Sequence, residues 1–181
     1  CVLYQGLLAE SRCVLELAEA VARLPEHMHL ALIGLGEDAY MRELRAAADR
    51  AGGRVHLFEW MHPEELRGFT ASADVGVLLY RNRGRNNYYA APNKLYEYLF
   101  AGLPVVASAF PGLQSIVDGG GYGACADPAR PDDIARAIAQ AAEIAPGADI
   151  ATRSRAAWCW SDQAAVLRRV YQELLEKDHA L

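Results

Sequence analysis

The residues best placed to do chemistry lie in one stretch, Tyr89-Ala90-Ala91-Pro92-Asn93-Lys94-Leu95-Tyr96-Glu97-Tyr98-Leu99. Pro92 suits the first position of a helix. Ala90 and Ala91 carry no side chain able to cap, so the first N–H groups of that helix lack a built-in acceptor. Lys94 falls in the first turn, the unfavourable end of the helix dipole for a cation. Lys94 and Glu97 can pair at i, i+3, but lysine before glutamate is the weaker order, and such a pair contributes only about 0.2–0.5 kcal/mol. A bound anion would answer all three oddities. A diphosphate could accept the open N–H groups and neutralise Lys94. Glu97 lies about 7 Å further along the helix axis. A carboxylate there is wrong for phosphate but right for a ribose, whose two hydroxyls can both donate to it. Phosphate followed by a diol describes a nucleoside diphosphate. The plain alternative is an exposed helix with a solvated ion pair and water at its start.

Short apolar runs alternating with segments of helical period would have to position these residues. Strands are expected at Val2–Gln5, Leu30–Ile33, Val55–Phe58, Val75–Leu79 and Pro104–Ala107, with a weaker one near Gly121–Ala126. Helices are expected over residues 14–24, from Met41 to the Gly52-Gly53 pair, from Pro63, from Pro92 to Ala101, from Pro131 to Glu143 and from Ser161 to Leu175. Strands that are apolar throughout are buried on both faces, as in a parallel sheet. Their alternation with helices implies right-handed crossovers. The expected fold is a single α/β domain over residues 1–181, a doubly wound Rossmann-like parallel sheet with helices on both faces. Ligands of such sheets bind beyond the carboxyl ends of the strands. The loops after residues 5, 34, 59, 80 and 108 therefore matter most.

Several other patterns compete. Gly34-Leu35-Gly36-Glu37-Asp38-Ala39 fits a dinucleotide fingerprint, and Glu59 stands where a ribose-binding acid would lie. Yet a complete strand and helix precede it, and Glu37 and Asp38 would repel a pyrophosphate. A tight turn is the better reading. Arg81, Arg83 and Arg85 read as a solvated loop or as help with phosphate. His27 and His29 read as surface residues with no metal-ligand cluster around them. Asp132 and Asp133 read as helix N-terminal capping. No serine, histidine and acid grouping suggests a hydrolase.

Composition narrows the field further. The 181-residue chain carries a net charge of −5, which argues against nucleic acid as a partner. Cys1, Cys13, Cys125 and Cys159 form no CxxC pair, so a zinc knuckle or redox motif is not expected and a reducing compartment fits best. No apolar run reaches the roughly 20 residues needed to span a bilayer. The start at Cys1 instead of Met suggests an excised domain.

Asn93-Lys94-Leu95-Tyr96-Glu97-Tyr98-Leu99-Phe100-Ala101-Gly102-Leu103-Pro104-Val105-Val106 closely resembles the donor-binding segment of family-four retaining glycosyltransferases with the GT-B fold. Tyr4-Gln5-Gly6 with Ser11-Arg12, Leu32–Gly36, Val55–Trp60, Trp160-Ser161 and Val170–Leu175 resemble the rest of that family's C-terminal domain in order. The resemblance implies a nucleoside diphosphate sugar as the donor substrate, with no metal and no cofactor required. It implies ribose contact by Glu97 and diphosphate contact by Gly6, Arg12, Asn93, Lys94 and Leu95. The base would lie near Trp60, Met61 and His62, and the donor sugar near Tyr89, Ala91 and Pro92. Tyr89 stands where the family carries the first glutamate of a Glu-x7-Glu pair, and Leu7 stands where a second arginine is common.

The implied reaction is sugar transfer with retention of configuration. Helix N–H groups, Arg12 and Lys94 would stabilise the departing diphosphate. An N-terminal acceptor domain absent from this chain, with a lipid-linked or glycan acceptor, completes the expectation of a bacterial-type enzyme of polysaccharide biosynthesis. It would work in the cytoplasm or at the inner face of a membrane, and the present chain alone would be inactive. The alternatives are a nucleotide-sugar epimerase of the same fold and a non-catalytic, NAD-type nucleotide-binding module.

Overall fold

The computed structural model describes residues 1–178, so the last three residues of the expected domain lie outside the described part. Six strands alternate with helices: β1 Val2–Gln5, α1 Val14–Val21, β2 Leu30–Ile33, α2 Asp38–Arg50, β3 Val55–Phe58, α3 Pro63–Ser72, β4 Val75–Leu78, α4 Arg85–Tyr88, α5 Asn93–Phe100, β5 Val105–Ser108, α6 Pro111–Val117, β6 Gly123–Ala126, α7 Pro131–Ala142, α8 Ala148–Trp158 and α9 Trp160–Asp178. All strands run parallel in the order β3-β2-β1-β4-β5-β6. The order reverses between β1 and β4, which puts the switch-point crevice above their carboxyl ends.

Alternating strand residues feed two cores. Val2, Tyr4, Leu30, Leu32, Val75, Val77 and Val106 pack with α1, α2 and α7. Leu3, Ala31, Ile33, Leu78, Val105 and Ala107 pack with α5, α6 and Ile150 of α8. β3 departs from the expectation of burial on both faces. It is the sheet edge, so His56 is exposed and Leu57 and Phe58 are only half-buried. His56 stacks on His29, with Nδ1 of His29 2.9 Å from Nε2 of His56.

Three helices go beyond the pattern expected from the sequence. The segment expected to be a polar loop closes into the short α4, and the helices α6 and α8 lie in stretches left unassigned. Asp132 and Asp133 do stand in the first turn of α7, but they do not cap it. Asp132 pairs with Arg23, while Asp133 accepts the N–H of Asp127 at 2.8 Å and pairs with Arg136. That hydrogen bond from Arg136 holds the Asp133 carboxyl below its usual range. Along α9, Trp160, Leu167, Val170, Tyr171 and Leu174 recur at helical spacing and are all exposed. Among the described residues no helix is long and apolar enough to cross a membrane.

Candidate functional site

Helix α5 is anchored by its buried face. Leu95, Tyr98 and Leu99 are fully buried. The Tyr98 ring packs against Gly76 of β4, where a Cβ would come within 2.6 Å of it. From there its hydroxyl accepts the Gln5 N–H at 3.1 Å, tying α5 to the carboxyl end of β1. The helix start thus overhangs the switch point.

Pro92 is the N-cap residue and not the first helical residue; the helix begins at Asn93, and no side chain caps it. The Leu95 N–H bonds the Pro92 carbonyl at 3.0 Å, and the Leu95 side chain belongs to the core. Of the expected diphosphate contacts, Leu95 therefore has neither a free side chain nor a free N–H. The N–H groups of Asn93 and Lys94 have no hydrogen-bond partner among the described residues.

Lys94 and Glu97 do not pair. Helical side chains lean toward the N-terminus, and Lys94 follows that direction to place its ammonium 4.4 Å from the centroid of the Tyr4 ring. Gly6, at φ 119°, clears the way: a Cβ there would lie 2.7 Å from Nζ of Lys94. Glu97 turns instead to Gln5, accepting its side-chain amide at 2.9 Å. Burial, then the Arg12 charge, bring the Lys94 ammonium down to a pKa of about 8, with Glu97 opposing.

Arg12 ends a single 3-10 turn, Glu10–Arg12, and lays its guanidinium 4.2 Å over the Tyr80 ring. Buried Ser108 fixes Tyr80 by accepting its N–H at 2.8 Å. Two cations thus lie on two aromatic rings with no carboxylate paired to either among the described residues, and the Arg12 charge is near enough to act on Lys94 in the first turn of α5. Arg81 and Arg83 are different. Arg81 pairs with Glu16, and Arg83 reaches Glu10 at 2.8 Å. Tyr4, Tyr80 and Gln5 were not singled out from the sequence. The one usable signal was Gln5, a polar residue ending an apolar strand.

The glycines of the fingerprint-like turn serve packing. A Cβ on Gly34 would meet the Gly6 carbonyl oxygen at 1.8 Å, and one on Gly36 would meet that of Leu8 at 2.1 Å. The chain after β1 fills the space a pyrophosphate would need there. Beside this turn, a cavity of about 310 Å³ is lined by Gly6, Leu7, Leu35, Trp60, Met61 and Leu66. Trp60 is 63% exposed above it. His62 is the N-cap residue of α3 and receives the Glu64 N–H at 3.5 Å. A second cavity of about 400 Å³ shares Leu66 and reaches Gln5, Thr70 and Glu97. The expected sugar contacts lie apart from both cavities. Tyr89 is 64% exposed, Ala91 is exposed and Pro92 half-buried, on the link between α4 and α5. Among the described residues no three His, Cys, Asp or Glu side chains cluster as a metal site.

Comparison with known proteins gives the family and the fold. No curated protein matches the sequence. AviGT4, a glycosyltransferase involved in avilamycin A biosynthesis, superposes with a TM-score of 0.72 at 22% identity over 97% of this chain and 51% of its own. Sucrose-phosphate synthase from Thermosynechococcus elongatus gives 0.73 at 22% identity, over 96% and 46%. Anabaena Alr3699/HepE, solved in complex with UDP and glucose, gives 0.69 at 18% identity, over 99% and 48%. The chain thus spans about half the length of these structures. Its fold is the doubly wound Rossmann-like half of a GT-B glycosyltransferase. The family described as Glycosyl transferases group 1 matches residues 1–143, and the chain belongs to that family.

Proposed function

We propose that this chain is the donor-binding domain of a retaining glycosyltransferase of family four, which transfers a sugar from a nucleoside diphosphate to an acceptor. The observation that carries the reading is the start of α5, where two open N–H groups, Lys94 and Arg12 converge without a carboxylate paired to either cation among the described residues. The diphosphate would lie there, its growing charge stabilised as the sugar departs. Glu97 would hold the ribose, and the Trp60–Met61 cavity the base. Because these groups already supply positive charge, the reading calls for no metal ion. The exposed apolar stripe on α9 supports a further half of the enzyme carrying the acceptor site. That Anabaena Alr3699/HepE was solved with UDP and glucose supports the donor class.

The full-length enzyme should release a nucleoside diphosphate from one of a panel of UDP-, GDP- and ADP-sugars once an acceptor is supplied. The product should keep the donor's anomeric configuration, read by NMR. An inverted product would overturn the retaining assignment. Efficient transfer by the present chain alone would overturn the division of labour between the halves.

A further inference from the structure

Gln5 is a buried amide at the switch point, 4% exposed on the α3 and α5 side of the sheet. Its backbone N–H and both side-chain polar atoms are used. Its backbone N–H goes to Tyr98, Nε2 donates to Glu97 at 2.9 Å, and Oε1 accepts from the Thr70 hydroxyl at 2.8 Å. Thr70 is itself 4% exposed, and its oxygen also lies 2.8 Å from the Leu66 carbonyl of its own helix.

The chemistry fixes the direction of this chain. A glutamine amide has two orientations, one presenting its donor and the other its acceptor to a given neighbour. An ionised Glu97 only accepts, so it selects the orientation with Nε2 toward it. Oε1 then faces Thr70, whose hydroxyl can donate to it or to the Leu66 carbonyl, each at 2.8 Å. Thr70 orients Gln5, and Gln5 orients Glu97. The carboxylate stands on an exposed helix position and would otherwise sample several rotamers, each of which a ligand would have to freeze.

We propose that Gln5 is a positioning residue that pre-orients the Glu97 carboxylate for the vicinal hydroxyls of the nucleotide ribose, with Thr70 fixing Gln5 in turn. The proposal rests on the ribose reading of Glu97. Discrimination between ribose and deoxyribose then depends on the last residue of β1.

The test is calorimetric affinity of the chain for UDP, GDP and ADP and for their 2′-deoxy counterparts, with the melting temperature of each variant alongside. Gln5→Met keeps the length and removes both side-chain bonds. It should lower the preference for ribose about threefold to tenfold, the range expected for losing one ordinary orienting hydrogen bond, while affinity for the deoxy ligand stays near parental. Thr70→Val should do the same more weakly, and Thr70→Ser, which keeps the hydroxyl, should restore the parental ratio. A parental ratio in Gln5→Met beside a collapsed ratio in Glu97→Gln would overturn the positioning role alone. A parental ratio in Glu97→Gln would overturn the ribose reading and this proposal with it.

Discussion

Two groups of cations lie beyond the carboxyl ends of the central strands, and they have opposite surroundings. Arg81 and Arg83 follow β4 and are matched to Glu16 and Glu10. Arg12 and Lys94 lie nearby on the rings of Tyr80 and Tyr4 with no paired carboxylate among the described residues. The neighbouring acid charge holds Arg81 above its usual pKa, whereas burial brings Lys94 down to about 8. A folded chain gains little by leaving cations half-buried and unmatched. The matched pairs hold a loop; the unmatched pair suits a ligand that supplies the missing negative charge. Counting arginines in the sequence would have favoured Arg81, Arg83 and Arg85.

The largest effect that can break this contrast comes from arginine replacement. Arg12→Met should weaken diphosphate binding about tenfold to a hundredfold, the range for a hydrogen bond to a charged group. The penalty should shrink with added salt. Arg83→Met, more than half exposed and paired to an exposed Glu10, should leave affinity at the parental value. Equal losses would erase the distinction.

Glu97→Gln extends the contrast from charge to geometry. It keeps the shape but weakens two charge-assisted bonds to the diol, so a ribonucleotide should bind about tenfold more weakly. The loss should be smaller for a 2′-deoxy ligand.

A pH titration separates the groups differently. Lys94 must be protonated to pair with diphosphate, so affinity should fall as pH rises past about 8, approaching about tenfold per unit. Stability should move the other way. The unfolded lysine binds a proton up to its higher ordinary pKa while the folded one does not, so the Lys94 contribution to stability increases from about pH 8 upward. A flat affinity profile between pH 7 and 9 would show that Lys94 is not the partner.

The smallest effect on binding belongs to the matched pair. Arg81→Met should cost more than the roughly 1 kcal/mol of an exposed pair, because it leaves a largely buried Glu16 carboxylate unpaired, lowering the melting temperature with diphosphate affinity unchanged. NAD should shift the melting temperature not at all, because the Gly6 and Leu8 carbonyls fill the space above Gly34 and Gly36.

Much of this was legible in advance. Apolar strand runs of four to five residues separated by helical periods gave the parallel sheet, since burial on both faces leaves no other pattern. The uncapped start of α5 was visible as Ala90-Ala91-Pro92 followed by Lys94, although Pro92 proved to be the cap position. What stayed hidden depends on distant contacts. Nothing in the spacing of Lys94 and Glu97 says that one will go to Tyr4 and the other to Gln5, because those partners come from a strand about 90 residues away. The edge position of β3 is likewise a property of strand order, not of its sequence. The helices α6 and α8 escaped because α6 has only 7 residues and α8 buries only Ile150 and Ser154, so neither shows a long apolar stripe.

The central claim is that the start of α5 is left electrostatically incomplete for a diphosphate. Calorimetry of UDP, GDP and ADP beside uridine, guanosine and adenosine, on the parent and on Lys94→Met, tests it most directly. The account predicts that at least one diphosphate binds the parent at least about tenfold more tightly than its nucleoside. It predicts that Lys94→Met abolishes this advantage while melting no lower than the parent, because the variant removes a desolvated cation. Binding of no nucleotide by the parent would contradict the account, and so would an undiminished diphosphate advantage in Lys94→Met.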